Sequence, residues 1–196
     1  MSEAPTEKDM QRSIIQYLCS QSIVDANGRA TGDMEYYEVD QSEYDENYCL
    51  IPSELFAFLK ETQPKEYKKG LDAFEGDESA MRHNILDRIK SEMNAALKPA
   101  TKEHVLNGMN TPQGTLTLLR DTETVDGGRG MKFKLAYFKP ANNKTPEHDE
   151  LYRKNRLAIV QELVYSNNDK YRIDLVIFLN GFPVVTVELK NSLTGQ

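Results

Sequence analysis

No apolar run in the chain approaches the ~20 residues needed to span a bilayer. The first residues, MSEAPTEKDM, lack the charged-then-apolar order of a secretion signal. A cytoplasmic protein without membrane contacts is expected. Cysteine is scarce: Cys19 and Cys49 stand alone, with no CxxC and no His at ligand spacing, which argues against a zinc site and makes free buried thiols the expectation. The three histidines, His83, His104 and His148, are scattered over helical and loop sequence and read as surface or packing residues rather than ligands. There is no phosphate-binding glycine loop, internal repeat or low-complexity tract.

What is present is enough for a sizeable core: 196 residues, 39% hydrophobic and 28% charged, suit one domain, or one domain with an appendage. The net charge of -7 hides an asymmetry. Residues 31 to 59 hold eight acids and no Lys or Arg, whereas residues 129 to 172 hold ten basic residues against five acids. The basic stripe is interleaved with Tyr137, Phe138, Tyr152, Tyr165 and Tyr171. Such a stripe can neutralise phosphates, or it can be a solvated strand face, and the acidic half argues against a protein that coats DNA.

Helical spacing dominates the first 110 residues. Thr6 is placed to cap a helix with Asp9 three residues on, and Met10, Ile14, Tyr17 and Leu18 mark its apolar side to about Ser20. Asn27-Gly28 and the acidic stretch read as loop, with room for a short strand. Pro52 opens a helix that Pro64 closes, and Met81, Ile85, Ile89, Met93 and Leu97 write a longer one, with Pro99 shortly after. From residue 111 the period becomes two. Gly114 to Leu119 is a candidate strand, Gly127-Gly128 a turn, and Met131 to Phe138 and Leu157 to Tyr165 alternating strands, the last joined to the next strand through residues 166 to 169.

The segment Tyr171 to Lys190, YRIDLVIFLNGFPVVTVELK, is a hairpin around Asn180-Gly181 that contains Asp174, Glu188 and Lys190. Alternation places Asp174 with Val176 and Phe178 on one face, and Glu188 with Lys190 on one face of the second strand. Buried ionised groups cost several kcal/mol each unless they are paired or bind a metal. Two carboxylates over a sheet form a hard oxygen site suited to Mg2+, and a lysine beside it can orient or deprotonate water and offset charge on a phosphate. That equipment suits phosphodiester hydrolysis. The alternative is an exposed Glu188 to Lys190 ion pair with Asp174 capping a turn. Glu66-Tyr67-Lys68 repeats the Glu-x-Lys spacing but lies in polar, helix-leaning sequence.

RIDLVIFLNGFPVVTVELKNSLTGQ resembles the nuclease core of the restriction subunit (HsdR) of type I restriction-modification enzymes: an Asp-bearing strand, an NG-x-P turn, then Glu-Leu-Lys-Asn. The FKP within Tyr137 to Pro140, the start of a strand at Asn155-Arg156-Leu157, ETQPKEY from Glu61, and the opening TEKDMQRSIIQYL resemble that subunit as well. The resemblance implies an α/β, restriction-endonuclease-like (PD-(D/E)xK) core, a mixed, mostly antiparallel sheet flanked by helices. The initial Pro-Asp of that motif is Ile173-Asp174 here. Residues 1-196 are then expected to be a single N-terminal endonuclease domain of a larger subunit, with 1-110 mainly helical and 111-196 mainly β.

The resemblance also implies roles. Asp174, Glu188 and the Leu189 carbonyl would ligate Mg2+ and Lys190 would be the catalytic lysine. Glu7 matches an acid that many members place on the first helix. Its spacing of three and seven residues from Met10 and Ile14 independently puts it on the apolar side, although an exposed Glu favouring the helix dipole would sit there too. The implied activity is that of a type I site-specific deoxyribonuclease acting on double-stranded DNA. ATP would serve only motor domains beyond this sequence, and modification (M) and specificity (S) subunits would be partners. The family's Gln and Tyr helix follows the Glu-x-Lys strand, and the sequence stops at Gln196 before it, so the isolated chain is expected to cut poorly. Other readings are a repair or resolvase-like nuclease of the same fold and a catalytically silent docking module.

Shared coordination makes a demand on register. Directly paired residues point to one face, so Asp174 and Glu188 can cooperate only if paired residue numbers sum to an even value. Two values satisfy this, 362 from a loop Asn180 to Phe182 and 360 from a three-residue loop Leu179 to Gly181; 360 is favoured because Gly181 suits the left-handed position, and it places Asp174 opposite Thr186 with Glu188 on the diagonal.

Overall fold

The computed structural model describes residues 6–20, 35–96, 115–120, 125–140, 146–166 and 171–190. Asn27-Gly28, His104 and the connection at 167–170 lie outside them. The chain divides into two compact units, Met1–Glu54 together with Asn155–Gln196, and Leu55–Lys154.

The first unit is built on a four-stranded mixed sheet in the order β1-β4-β5-β6: β1 is Tyr36–Glu38, β4 Leu157–Val164, β5 Arg172–Leu179 and β6 Phe182–Val187. β1 runs parallel to β4, and the other neighbours are antiparallel. A parallel pair needs a long crossover, and here residues 39 to 156 supply it. Helix α1, Glu7–Cys19, begins with a complete capping box: the Asp9 N–H donates to Thr6 Oγ1 at 3.1 Å and the Thr6 N–H to Asp9 Oδ2 at 3.0 Å. Its Ile15 is buried with Ile159 and Leu175, flanked by Ile14 and Leu18. The other face buries Ala158, Val160, Leu163, Val176 and Phe178 with Ile51. The fold is therefore α/β with a mixed sheet, compatible with a restriction-endonuclease-like core.

The second unit contains α2 (Pro52–Thr62) from Leu55 on, α3 (Pro64–Ala73), α4 (Glu78–Ala96), α5 (Thr115–Arg120), the hairpin β2 (Val125–Gly128) and β3 (Met131–Phe133), and α6 (Pro146–Arg153). β2 packs on α4 and β3 on α3. Fully buried Phe56, Phe58, Met81, Ile85, Ile89 and Phe133 supply its interior.

Several expectations are corrected. Thr115–Arg120 is a helix rather than a strand, because six residues reading TLTLLR are too few to separate the two periods. Pro64 ends one helix but also opens the next, since a proline at the first helical position loses no hydrogen bond. The second-unit turn is Arg129-Gly130, not Gly127-Gly128, and β3 ends at Phe133. Both thiols are free, but Cys19 is partly exposed and Cys49 exposed, so neither is buried. On α1 the covered side is Gln11, Ile14, Ile15 and Leu18, while Met10 and Tyr17 are exposed. No described helix is long and apolar enough to cross a membrane.

Candidate active site

The site begins at its turn. Asn180 and Gly181 both adopt left-handed backbone, with φ of 51° and 86°, as a two-residue type I′ loop requires. Such tips are usually exposed, but Asn180 is fully buried. Its N–H donates to the Arg156 carbonyl at 2.8 Å and its Oδ1 accepts from the Arg156 N–H at 2.8 Å. Its Nδ2 donates to Asn155 Oδ1, also at 2.8 Å, and the Gly181 carbonyl accepts from the Ile51 N–H at 2.9 Å. The turn cannot slide without breaking this set.

From that fixed point the first pairs, Leu179↔Phe182 and Phe178↔Pro183, sum to 361. The next three, Ile177↔Val185, Val176↔Thr186 and Leu175↔Val187, sum to 362. Val184 is the extra residue, a β-bulge. The expected sum of 360 is thus overturned, along with the expected three-residue loop. The sum reached at Leu175, 362, is the other even value, but it comes from a bulge within β6 and not from a loop Asn180 to Phe182. Residues 188 to 190 follow the last paired residue.

A second irregularity lies on the neighbouring strand. Glu162 has a φ of 49°, rare for a residue with a β-carbon. The pairs on either side of it, Gln161↔Leu175 and Leu163↔Ile173, keep one register, so Glu162 lies across from Asp174. The kink breaks alternation: Leu163 packs on the same face as Val160, and Ile173 on the same face as Val176. Asp174 consequently does not share the face of Val176 and Phe178, as expected, but joins the side covered by α1.

There it is held by two bonds. Gln11, 4% exposed, donates from Nε2 to the Asp174 carbonyl at 2.6 Å, and the Leu189 N–H donates to Asp174 Oδ2 at 2.5 Å. The first tethers α1 to β5 and the second tethers the end of the hairpin to its own carboxylate. Around them opens a cavity of about 380 Å³, walled by Glu7, Lys8 and Gln11 from α1, Glu162 from β4, Arg172 and Asp174 from β5, and Leu189. Of the residues expected at a site, Glu7, Asp174 and Leu189 are brought together. Glu188 and Lys190 are exposed and are not on this wall. Val187 packs toward α1 and Leu189 lines the cavity, so the residues alternating with them turn elsewhere.

Four residues of the wall were not anticipated: Lys8, Gln11, Glu162 and Arg172. Glu162 had no signal, since a left-handed residue inside an apolar strand cannot be seen in the sequence. Arg172 was foreseeable: it stands two residues before Asp174, and period-two spacing brings it to the same side. The wall's metal-binding side chains are all carboxylates, a donor set that fits a hard cation such as Mg2+ and not zinc. Among the described residues no three His, Cys, Asp or Glu side chains converge closely enough to hold a metal ion.

Away from the cavity, Glu54 is buried, accepts from Arg156 Nε at 2.6 Å and from the Tyr37 hydroxyl, and sits in the first unit beneath the Arg156 that braces Asn180. Burial, reinforced by Glu54, pushes the Tyr37 hydroxyl far up, so it stays a donor. The Glu66-Tyr67-Lys68 copy is structural: Glu66 accepts from the Lys132 N–H, Lys68 pairs with Asp72, and buried Tyr67 donates to Glu78.

The family described as type I restriction enzyme R protein N terminus (HSDR_N) matches residues 41–196. Comparison with curated proteins and with solved structures gives no match.

Proposed function

Since the chain belongs to the family of type I restriction enzyme R protein N termini, we propose that it is the Mg2+-dependent DNA endonuclease domain of such a subunit. The observation that carries the reading is the placing of Asp174. A kink at Glu162 turns it onto the side covered by α1, where it shares a cavity with Glu7 and Leu189.

In this reading Asp174, Glu188 and the Leu189 carbonyl would hold Mg2+, with Glu7 near Asp174 on the cavity wall. When bound, the ion would polarise the phosphate and acidify its water. Lys190 would orient the attacking water or offset charge growing on the phosphate oxygens. Gln11 keeps α1, and with it Glu7, against the strand that carries Asp174. Double-stranded DNA is the substrate, ATP serves motor domains of the longer subunit, and the modification and specificity subunits are the partners. The chain works in the cytoplasm.

The test is nicking of plasmid DNA by the full-length subunit, alongside Mn2+ calorimetry on this chain. Asp174→Ala, Glu188→Ala and Lys190→Ala should each remove nearly all cleavage and spare ATP hydrolysis, and Asp174→Ala should abolish Mn2+ binding. Retained cutting by Asp174→Ala sinks the reading. The exposure of Glu188 and Lys190 outside the cavity favours a second reading, a catalytically silent docking module. It predicts that all three variants behave as the parent does.

A further inference from the structure

The cavity that Asp174 faces is lined by three acids, Glu7, Glu162 and Asp174, and by two basic residues, Lys8 and Arg172. Lys190 of the Glu-x-Lys motif is exposed and off this wall, and Lys8 is the one lysine on it. A phosphodiester is an anion, so a strand laid against three carboxylates is repelled unless a basic group on the same wall meets it.

Lys8 is both placed and open for that contact. The capping box of Thr6 and Asp9 fixes where α1 begins, and Gln11, three residues on and so on the same side of the helix, ties that side to the Asp174 carbonyl at 2.6 Å. The backbone of Lys8 is thereby held at the cavity while its side chain stays exposed. Acids flank it in sequence, yet the Asp9 carboxylate takes the N–H and the hydroxyl of Thr6 instead, and among the described residues Lys8 forms no ion pair. Lys68, Lys69 and Lys154, by contrast, are paired with Asp72, Glu66 and Glu61. A flexible four-carbon stem on a fixed anchor suits a point contact with one phosphate. We propose that Lys8 is a substrate-contacting residue, meeting one backbone phosphate of double-stranded DNA at this cavity whether or not a metal is bound. The inference rests on the reading that the chain acts on DNA and adds that α1 is the element that grips the strand.

The experiment measures binding of a short labelled duplex to this chain in EDTA, by fluorescence anisotropy over a series of salt concentrations. Lys8 is exposed, so its replacement leaves the core intact. Lys8→Gln should reduce the slope of log affinity against log salt by about 0.9, the value for one phosphate contact on duplex DNA, and raise Kd roughly 5- to 10-fold near ~0.1 M salt. Lys8→Arg keeps the charge and should keep the slope. Lys68→Gln removes a lysine of the other unit that is paired with Asp72, and should leave the slope unchanged. Because no cutting occurs in EDTA, the two readings fail separately. A slope that depends on Lys8, found together with an Asp174→Ala subunit that still nicks plasmid, would keep this contact and sink only the nuclease reading. No binding by the parent chain, an unchanged slope in Lys8→Gln, or an equal loss in Lys8→Arg or Lys68→Gln overturns the inference.

Discussion

The two hairpins, β2–β3 and β5–β6, share one backbone device. Each closes on a two-residue left-handed turn, Arg129-Gly130 or Asn180-Gly181, and each then takes up one extra residue that moves the register from odd to even. In β2–β3 the sum passes from 259 to 258 at Gly127, and in β5–β6 from 361 to 362 at Val184. Each also carries an Asp beside the change. Asp126 stays at the surface, its Oδ1 accepting from the Gly128 N–H at 2.8 Å and its Oδ2 from Arg88 of α4 at 3.2 Å. Asp174 instead accepts from the partner strand's Leu189 and faces a cavity. Position on a bulged hairpin therefore does not make an acid functional. What distinguishes Asp174 is the second kink at Glu162 and the cavity it lines.

The sharpest way to break the comparison is to delete the extra residue from each hairpin. Without Val184 the odd sum set by the buried turn would run through β6 and exchange the faces of everything after it, taking Leu189, whose N–H holds the Asp174 carboxylate, off the cavity. DNA nicking by the full-length subunit should fall about 10²-fold or more, the scale of a misplaced catalytic group. Deleting Gly127 should leave nicking unchanged, because that register serves only packing. Equal losses from both deletions would mean that the bulges act through stability alone.

The turns differ in burial, and so should their mutants. Asn180→Ala takes a partner from the Arg156 N–H and from buried Asn155 Oδ1 and leaves a β-carbon in left-handed backbone. The expected loss is about 2–4 kcal/mol by urea unfolding. Arg129→Ala loses a bond to the Ala73 carbonyl and a guanidinium 4.0 Å above the Phe74 ring, both at the surface. Its loss should be about 0.5–1 kcal/mol. A reversed order would show that the buried turn does not hold the hairpin.

The bulges themselves differ by a methyl group's worth of room. A β-carbon on Gly127 would lie 2.9 Å from Phe133 Cε2 and 3.2 Å from Met131 Cβ, and Phe133 is buried and cannot yield freely. Gly127→Ala should destabilise by about 1–3 kcal/mol. Val184 already carries a branched side chain at the corresponding place, and Val184→Ala should change stability less. Thermal unfolding of the pair checks the order.

Why these features were only partly legible follows from how local each one is. Asn180-Gly181 announces its turn within two residues, and Thr6 with Asp9 announces a cap within four. The Val184 bulge left no trace, because in FPVVTV both faces of the strand are apolar and a one-residue slip changes no visible pattern. The buried side of α1 was misjudged for the opposite reason: Gln11 is polar, yet it is buried because its partner, the Asp174 carbonyl, lies 163 residues away. Asp174, Leu189 and Glu7 could be singled out from residue type and order, whereas the departure of Glu188 and Lys190 from their cavity depends on a kink at Glu162 that no spacing rule contains.

The smallest effect concerns the helix held across Asp174. Gln11 and Glu7 reach the cavity only if α1 starts where it does, and the start is fixed by the Thr6 and Asp9 box. Side-chain and backbone hydrogen bonds from Thr6 hold the Asp9 carboxyl below its ordinary 3.8. A carboxyl whose pKa is lowered by folding contributes stability that is complete above its unfolded value and is lost as pH falls through the folded one. Asp9→Ala should therefore lower the midpoint of thermal unfolding at pH 7, and the difference from the parent chain should shrink below about pH 4 and vanish at still lower pH. Because the group is fully exposed, the difference at pH 7 should be the smallest of the four. A gap between the two chains that stays constant down to pH 2 would show that Asp9 acts through helix propensity and not through its charge.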